Sequence, residues 1–333
     1  MSTHNAEDLD KVYSFAIKLA RVAGRMLLDS AEQRYIPDGN REVQGLSEKD
    51  SSVDIVTKTD EDVESFIKTS IAQQYPEHRF IGEESYSKGA SKRYLIDDGP
   101  TWCVDPLDGT VNYTHLFPMF CVSIGFVLNS RPIIGVVYAP FLGQLFTARA
   151  GHGAWLNEKQ RLPLVRDPIP PIPSEAPRNC IFSCEWGKDR RDHPDSNLHR
   201  KVESFITMAA EQSGREGKGG MVHGVRCLGS ATMDLAYTAM GSFDIWWEGG
   251  CWEWDVAAGI CILQEAGGLV TAANPPDDVE NCSIENAKLG SRLYLAIRPA
   301  GPSPNETGRL GQERAVREVW RRVRRLDYTR PGQ

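Results

Sequence analysis

Six prolines crowd the stretch from Leu162 to Arg178 (Pro163, Pro168, Pro170, Pro171, Pro173 and Pro177), a density that forbids a regular helix and most strand pairing. A chain of 333 residues interrupted in this way reads as two intimately packed parts joined by an irregular surface connection. We divide it into an N-terminal α+β part (1–165), a Pro-rich connection (166–180), a C-terminal α/β part (181–300) and a basic tail (301–333).

Periodicity fills in both parts. Val12, Phe15, Ala16, Leu19, Ala20, Ala23, Met26 and Leu27 recur at helical steps, which predicts an amphipathic helix over Asp8–Asp29. A second helical period runs through Val63, Phe66, Ile67 and Ile71 and stops at Tyr75-Pro76, before a short strand at Arg79–Gly82. Cys121–Val127, Ile133–Tyr138 and Gln144–Ala148, separated by turn residues, read as an antiparallel meander. After the connection, strands are expected at Ile181–Cys184 and Asp244–Glu248, and helices at Leu198–Ala210, Ala231–Met240 and Val256–Glu265, the last stopped by Gly267-Gly268. The segment Glu313–Arg325 alternates Arg with apolar residues and predicts a solvent-exposed basic helix.

Composition narrows the function. With 41% apolar and 25% charged residues the chain can bury a sizeable core, which argues against global disorder. The formal charge of −7 provides no general attraction for nucleic acid, and no apolar run approaches the ~18 residues that span a bilayer. Eight scattered cysteines and a start without a basic and apolar leader predict a reducing, cytoplasmic location.

The chemistry concentrates in Trp102-Cys103-Val104-Asp105-Pro106-Leu107-Asp108-Gly109-Thr110-Val111-Asn112, an apolar strand that empties into two carboxylates three residues apart. Hard divalent cations take oxygen ligands, so Asp105, Asp108 and the Leu107 carbonyl make a plausible half-site for Mg²⁺. The Gly109-Thr110 turn offers backbone N–H groups to a phosphate oxygen and a hydroxyl to a water. Alone, D-x-x-D-G is an ordinary turn. Two more acidic clusters, Gly82-Glu83-Glu84-Ser85 and Trp252-Glu253-Trp254-Asp255, also stand at the ends of elements and point to one shared cation site.

These segments resemble the signatures of the inositol monophosphatase family: WCVDPLDGTVNY at 102–113, WDVAAGICILQEAGG at 254–268, GEES at 82–85 and DIVTKTD at 54–60, in family order over about 215 residues. Within the family the chain is most similar to fungal members associated with quinate utilisation. The resemblance implies an alternating α-β-α-β-α sandwich of the sugar phosphatase type and a homodimer. It implies a Mg²⁺-dependent phosphomonoesterase acting on a small polyol or cyclitol phosphate, without a covalent enzyme intermediate. Residue by residue, it implies that Glu83, Asp105 and the Leu107 carbonyl bind one Mg²⁺, that Asp105, Asp108 and Asp255 bind a second, and that Glu83 touches a looser third. Asp60 and Thr110 match the pair that positions and deprotonates water. Gly109 and Thr110 match the phosphate-binding backbone, and Leu228-Gly229-Ser230-Ala231 with Glu248 match the leaving-group side.

The chain departs from the family at Glu185-Trp186-Gly187-Lys188, where the animal enzymes carry Ser in the Lys188 position; Lys188 suits a substrate with a second anionic group. Lys49 with Ser51-Ser52 reads as a lid over the third metal. Cys180, Cys184, His193 and His199 lack zinc-finger spacing, and His115 and His223 read as structural. Two other classes stay open: a ligand-sensing or regulatory protein on the same scaffold, and a bisphosphate or nucleotide 3′-phosphatase.

Overall fold

The computed structural model describes residues 8–33, 47–51, 54–89 and 94–330. Helix α1 (Leu9–Glu32) opens with Asp8 accepting the Lys11 N–H and lays Val12, Ala16, Leu19, Ala23 and Leu27 in one buried stripe. A hairpin, β1 (Ser47–Ser51) and β2 (Asp54–Val56), leads into α2 (Lys58–Gln74), which stops before Pro76 as the sequence predicts. The lid reading at Lys49 and Ser51-Ser52 lies outside what can be described: Ser52 and the side chains of Lys49 and Ser51 are not among the described residues.

A seven-stranded sheet follows, made of β3 (Arg79–Gly82), β4 (Thr101–Asp108), β5 (Cys121–Leu128), β6 (Arg131–Ala139), β7 (Gln144–Arg149), β8 (Ala154–Leu156) and β9 (Gln160–Arg161), paired in chain order. The expected meander is its antiparallel centre, while β3 pairs parallel with β4. Short helices α3 (Glu83–Ser87) and α4 (Thr110–Thr114) leave the ends of β3 and β4.

No helix or strand occupies the Pro-rich connection, yet its Ile172 and Ala176 are buried and Arg298 binds the Pro170 and Pro171 carbonyls. The second sheet runs β11-β10-β12-β14-β13, from β10 (Ile181–Ser183), β11 (Gly224–Arg226), β12 (Ile245–Gly249), β13 (Leu269–Thr271) and β14 (Leu293–Ile297). Its helices are α5 (Asn197–Ala209), the short turn α6 (Gly214–Gly217), α7 (Ala231–Met240), α8 (Glu253–Ala266) and α9 (Gly308–Trp320).

Alternation along the strands decides the layers. Trp102 and Val104 of β4 face α1 and α2 with Val63 and Ile67, whereas Cys103 faces the opposite side with Val256 and Ala257 of α8. α7 and α8 lie between the sheets, and the outer face of the second sheet is covered by α9, with Trp247, Leu295, Val316 and Trp320 packed together. The order is α-β-α-β-α. Burying a side chain such as Phe126 or Val104 contributes about 1.5–3 kcal/mol each, which lets α8, apolar on every side, sit at the centre.

One expectation fails. The segment 313–325 is not a solvated helix: Ala315, Val316, Val319 and Trp320 are buried, and the Trp320 indole donates to the Ala272 carbonyl at 3.0 Å. The alternation that looked like a basic face is a two-sided one, in which the apolar residues fill the core while Arg321 and Arg322 pair with Glu280 and Glu318.

Candidate active site

β4 delivers two carboxylates because its ladder breaks where they stand. The pairing with β5 slips between Asp105 and Asp108, and Pro106, having no N–H, loses no ladder bond there. The Leu107 N–H donates to Asp105 Oδ1 at 2.9 Å, which fixes the bend. Gly109 follows at φ +88°, and a Cβ there would stand 2.7 Å from the Met119 carbonyl, so the turn accepts only glycine. It starts α4 and places Thr110 beside α2.

Thr110 Oγ1 lies 3.2 Å from Asp60 Oδ1 and 3.1 Å from the Leu107 carbonyl. Asp60 is itself held by a capping box: its Oδ2 accepts the Thr57 N–H at 3.0 Å and the Thr57 hydroxyl. A buried carboxylate thus faces Thr110 in one orientation.

Asp255 comes from the other half of the chain, in the first turn of α8, where it accepts the Trp252 N–H at 2.7 Å. Ligand oxygens of Asp105, Asp108 and Asp255 lie within 4.8 Å of one another. Asp108 Oδ2 also accepts the Ser230 hydroxyl at 2.5 Å and the Thr232 N–H at 2.9 Å, which ties β4 to the start of α7.

Burial raises the proton affinity of all three carboxylates. For Asp105 the charges of Glu83, Asp108 and Asp255 add to burial, and for Asp255 those of Asp108 and Glu83 do. For Asp108 the bonds from Ser230 and Thr232 partly offset it. Three like charges this close repel each other unless a cation shares them. The donor set is all hard oxygen, so these residues fit a divalent cation such as Mg²⁺.

These groups line one cavity of about 350 Å³, with Glu83 and Thr110 at its acidic end and Gly229, Ser230, Ala231, Glu248 and Lys188 around it. Every site residue read from the sequence except Asp60 and Leu228 lines it, and Asp60 stands directly behind Thr110. Their side chains are not equally available. Lys188 Nζ is 3.9 Å from Glu83 Oε1, at the acidic end. Glu248 is sealed in an ion pair with Lys201, both side chains 2% exposed, and its other oxygen accepts the Glu185 N–H at 2.7 Å. Burial raises the affinity of Glu248 for a proton and Lys201 opposes this; for Lys201 burial is the largest single effect and lowers its proton affinity, but the Glu248 and Tyr328 charges with the Glu248 hydrogen bond together hold the ammonium above its usual range.

Other roles in the frame escaped the sequence reading. Glu185 Oε1 accepts the Leu228 and Gly229 N–H groups at 2.5 and 2.9 Å, and Asn112 Nδ2 donates to the Met119 and Leu228 carbonyls at 2.6 and 2.7 Å. Glu64 accepts the N–H groups of Glu84 and Ser85, both at 2.7 Å, and so positions the turn carrying Glu83. Asn112 lies inside the 102–113 motif and was open to notice. Arg292 and Tyr328, which also line the cavity, carry no sequence signal because they arrive from distant segments. The four-residue set Cys180, Cys184, His193, His199 forms no metal cluster among the described residues: both cysteines are buried in the outer core, and His199 pairs with Asp192.

Comparison with known proteins gives three kinds of likeness. The family described as Inositol monophosphatase family matches residues 8–323. The protein qutG of Emericella nidulans is 70% identical over 325 residues, covering 97% of this chain and 96% of its own. The quinic acid degradation cluster protein x of Neurospora crassa is 65% identical over 338 residues, covering 99% and 98%. Among solved structures, the inositol monophosphatase of Anabaena superposes with a TM-score of 0.65 at 28% identity, covering 96% of this chain and 98% of that one.

Proposed function

This chain belongs to the inositol monophosphatase family and is a phosphoric monoester hydrolase, and from that premise we propose that it hydrolyses a small polyol or cyclitol phosphate with two to three Mg²⁺ ions. The observation that carries the reading is the Thr110 hydroxyl held between Asp60 and the Leu107 carbonyl beside the Asp105, Asp108 and Asp255 oxygens. A binding module has no need of a hydroxyl backed by a buried, oriented carboxylate.

In this reading Glu83, Asp105, the Leu107 carbonyl, Asp108 and Asp255 hold the cations. When bound, Mg²⁺ supplies positive charge that acidifies water and offsets the charge of the transferring phosphoryl group. Thr110 accepts the proton of the attacking water as its own proton passes to Asp60 Oδ1, the one Asp60 oxygen not already accepting from Thr57. Gly109 and Thr110 offer their N–H groups to the phosphate. Gly229, Ser230, Ala231 and Glu248 shape the wall for the leaving group, and Lys188 adds a cation at the acidic end. No enzyme side chain attacks phosphorus.

A relative at 65% identity is named for a quinic acid degradation cluster, and we assign the substrate to that metabolism. The eight thiols, none of them paired, fit the cytoplasm, and no helix among the described residues is long and apolar enough to cross a membrane. The protein is a homodimer in this account, with twice the 37.1 kDa chain mass by light scattering; a monomeric mass removes that part. The function is tested by phosphate release from inositol monophosphates, sugar phosphates, a bisphosphate and a nucleotide 3′-phosphate, with and without Mg²⁺. Turnover only with the bisphosphate or the nucleotide would reassign the enzyme.

A further inference from the structure

Besides the carboxylates, the same cavity is lined by groups of opposite character. Arg292 and Arg190 make no ion pair among the described residues, although both line the cavity. Arg292 is half-buried: its Nη1 and Nη2 donate to the Thr329 and Gly250 carbonyls at 2.9 and 2.8 Å, and its guanidinium lies 3.8 Å over the Trp252 ring. Its Nε is buried with no acceptor. Tyr328 Oη is likewise buried without a partner.

The place of Tyr328 is built. A Cβ on Gly187 would come within 2.9 Å of its Oη, one on Gly249 within 2.8 Å of its Cδ2, and one on Gly250 within 3.0 Å of its Cε1. Gly187 and Gly250 also sit at positive φ. Three glycines from two segments thus leave room for one phenol from the chain's last described stretch, and that phenol is then left without a hydrogen-bond partner. A buried unpaired donor costs about 1–3 kcal/mol. Two such donors in one cavity call for an acceptor that the described residues do not supply.

We propose that Arg292 and Tyr328, with Arg190 at the rim, form a second anion subsite, and that the substrate is a phosphate monoester bearing a carboxylate. The inference rests on the phosphatase reading and names the substrate class within it. Two single donors, one N–H and one O–H, suit the two oxygens of a carboxylate; a second phosphate, with about two charges and three oxygens, would leave an oxygen unmet. Arg292 and Tyr328 are not among the residues that would hold the cations, so the ester phosphate and the second anion engage different side chains.

The test compares shikimate 3-phosphate, a ring phosphate with a carboxylate, with inositol 1-phosphate and inositol 1,4-bisphosphate. Binding to the full chain is measured by calorimetry with Ca²⁺ in place of Mg²⁺, and turnover in Mg²⁺ is measured separately, so failure of the subsite and failure of the phosphatase reading are read on different axes. The expected result is that the carboxylated ester binds at least about tenfold tighter than inositol 1-phosphate, and that Tyr328→Phe and Arg292→Gln each reduce this preference several-fold. Tyr328→Phe breaks no hydrogen bond within the protein, and Arg190→Gln alters an exposed side chain, so both keep the test valid if Arg292→Gln fails to fold. Equal binding of the two monophosphates, or a preference untouched by all three variants, overturns the subsite. Tightest binding of the bisphosphate overturns its assignment to a carboxylate.

Discussion

Asp105 pays for its position in the absence of a cation. Burial and the charges of Glu83, Asp108 and Asp255 all oppose its ionisation, so Asp105→Asn is expected to leave the metal-free protein as stable as before or more so. The same change should remove the thermal stabilisation by Mg²⁺, which for a ligand at a hundredfold excess over Kd is about 2.7 kcal/mol. Melting curves with and without Mg²⁺ check both; a mutant that still gains stability from Mg²⁺ would place the ion elsewhere. Asp234 gives a pH test outside the metal cluster. It is fully buried, and burial and the Glu185 charge raise its pKa well above 3.8. The native state then binds the proton more tightly than the unfolded chain. Its stabilising contribution is complete below 3.8 and declines as pH rises through the raised value. Asp234→Asn removes that slope, so its Tm should improve relative to wild type as pH rises above 3.8. A constant difference would mean that Asp234 ionises normally.

At the scale of elements, α8 approaches the first sheet through two glycines. A Cβ on Gly135 would stand 2.3 Å from the Ala258 carbonyl, and one on Gly125 would stand 2.9 Å from Ala257 Cβ. Gly135→Val must push α8, and with it Asp255, off the sheet. We expect a loss of about 3 kcal/mol or more in denaturant unfolding, together with weakened Mg²⁺ activation. The helix α8 and the meander were legible in the sequence because a continuous apolar run and strict turn residues leave few alternatives. So was the meeting of Asp105, Asp108 and Asp255, although it was read from family motifs and not from spacing, since Asp255 lies about 150 residues from the others. Among what escaped were β8, β9, β11 and β13, two or three residues long and too short for any period to show, and also the hairpin of β1 and β2 and the five-residue β14. The character of α9 escaped too, because alternating Arg and apolar residues describe a solvated helix and a packed one equally well until Val316 and Trp320 meet the core.

The whole molecule closes over its site from the C-terminus. Leu326 is pinned to Asn274 and Asp327 to Asn197, Tyr328 enters the cavity, and Arg330 forms a buried ion pair with Glu253, two residues before Asp255. Arg330→Ala leaves the Glu253 carboxylate buried and uncompensated, with an expected cost of about 3–5 kcal/mol and a lower Mg²⁺ affinity. A loss of under about 1 kcal/mol would show the segment to be ornamental to the site. Both halves of the chain contribute carboxylates to the acidic cluster, Asp105 and Asp108 from the first sheet and Asp255 from the helix between the sheets, so in the proposed reading chemistry and assembly of the layers stand or fall together. The most direct test of that account is phosphate release from the substrate panel by wild type and Asp105→Asn, with and without Mg²⁺. The account predicts turnover that requires Mg²⁺ and falls at least about a thousandfold in the mutant; no turnover of any phosphate ester by a wild-type protein that binds Mg²⁺ would contradict it.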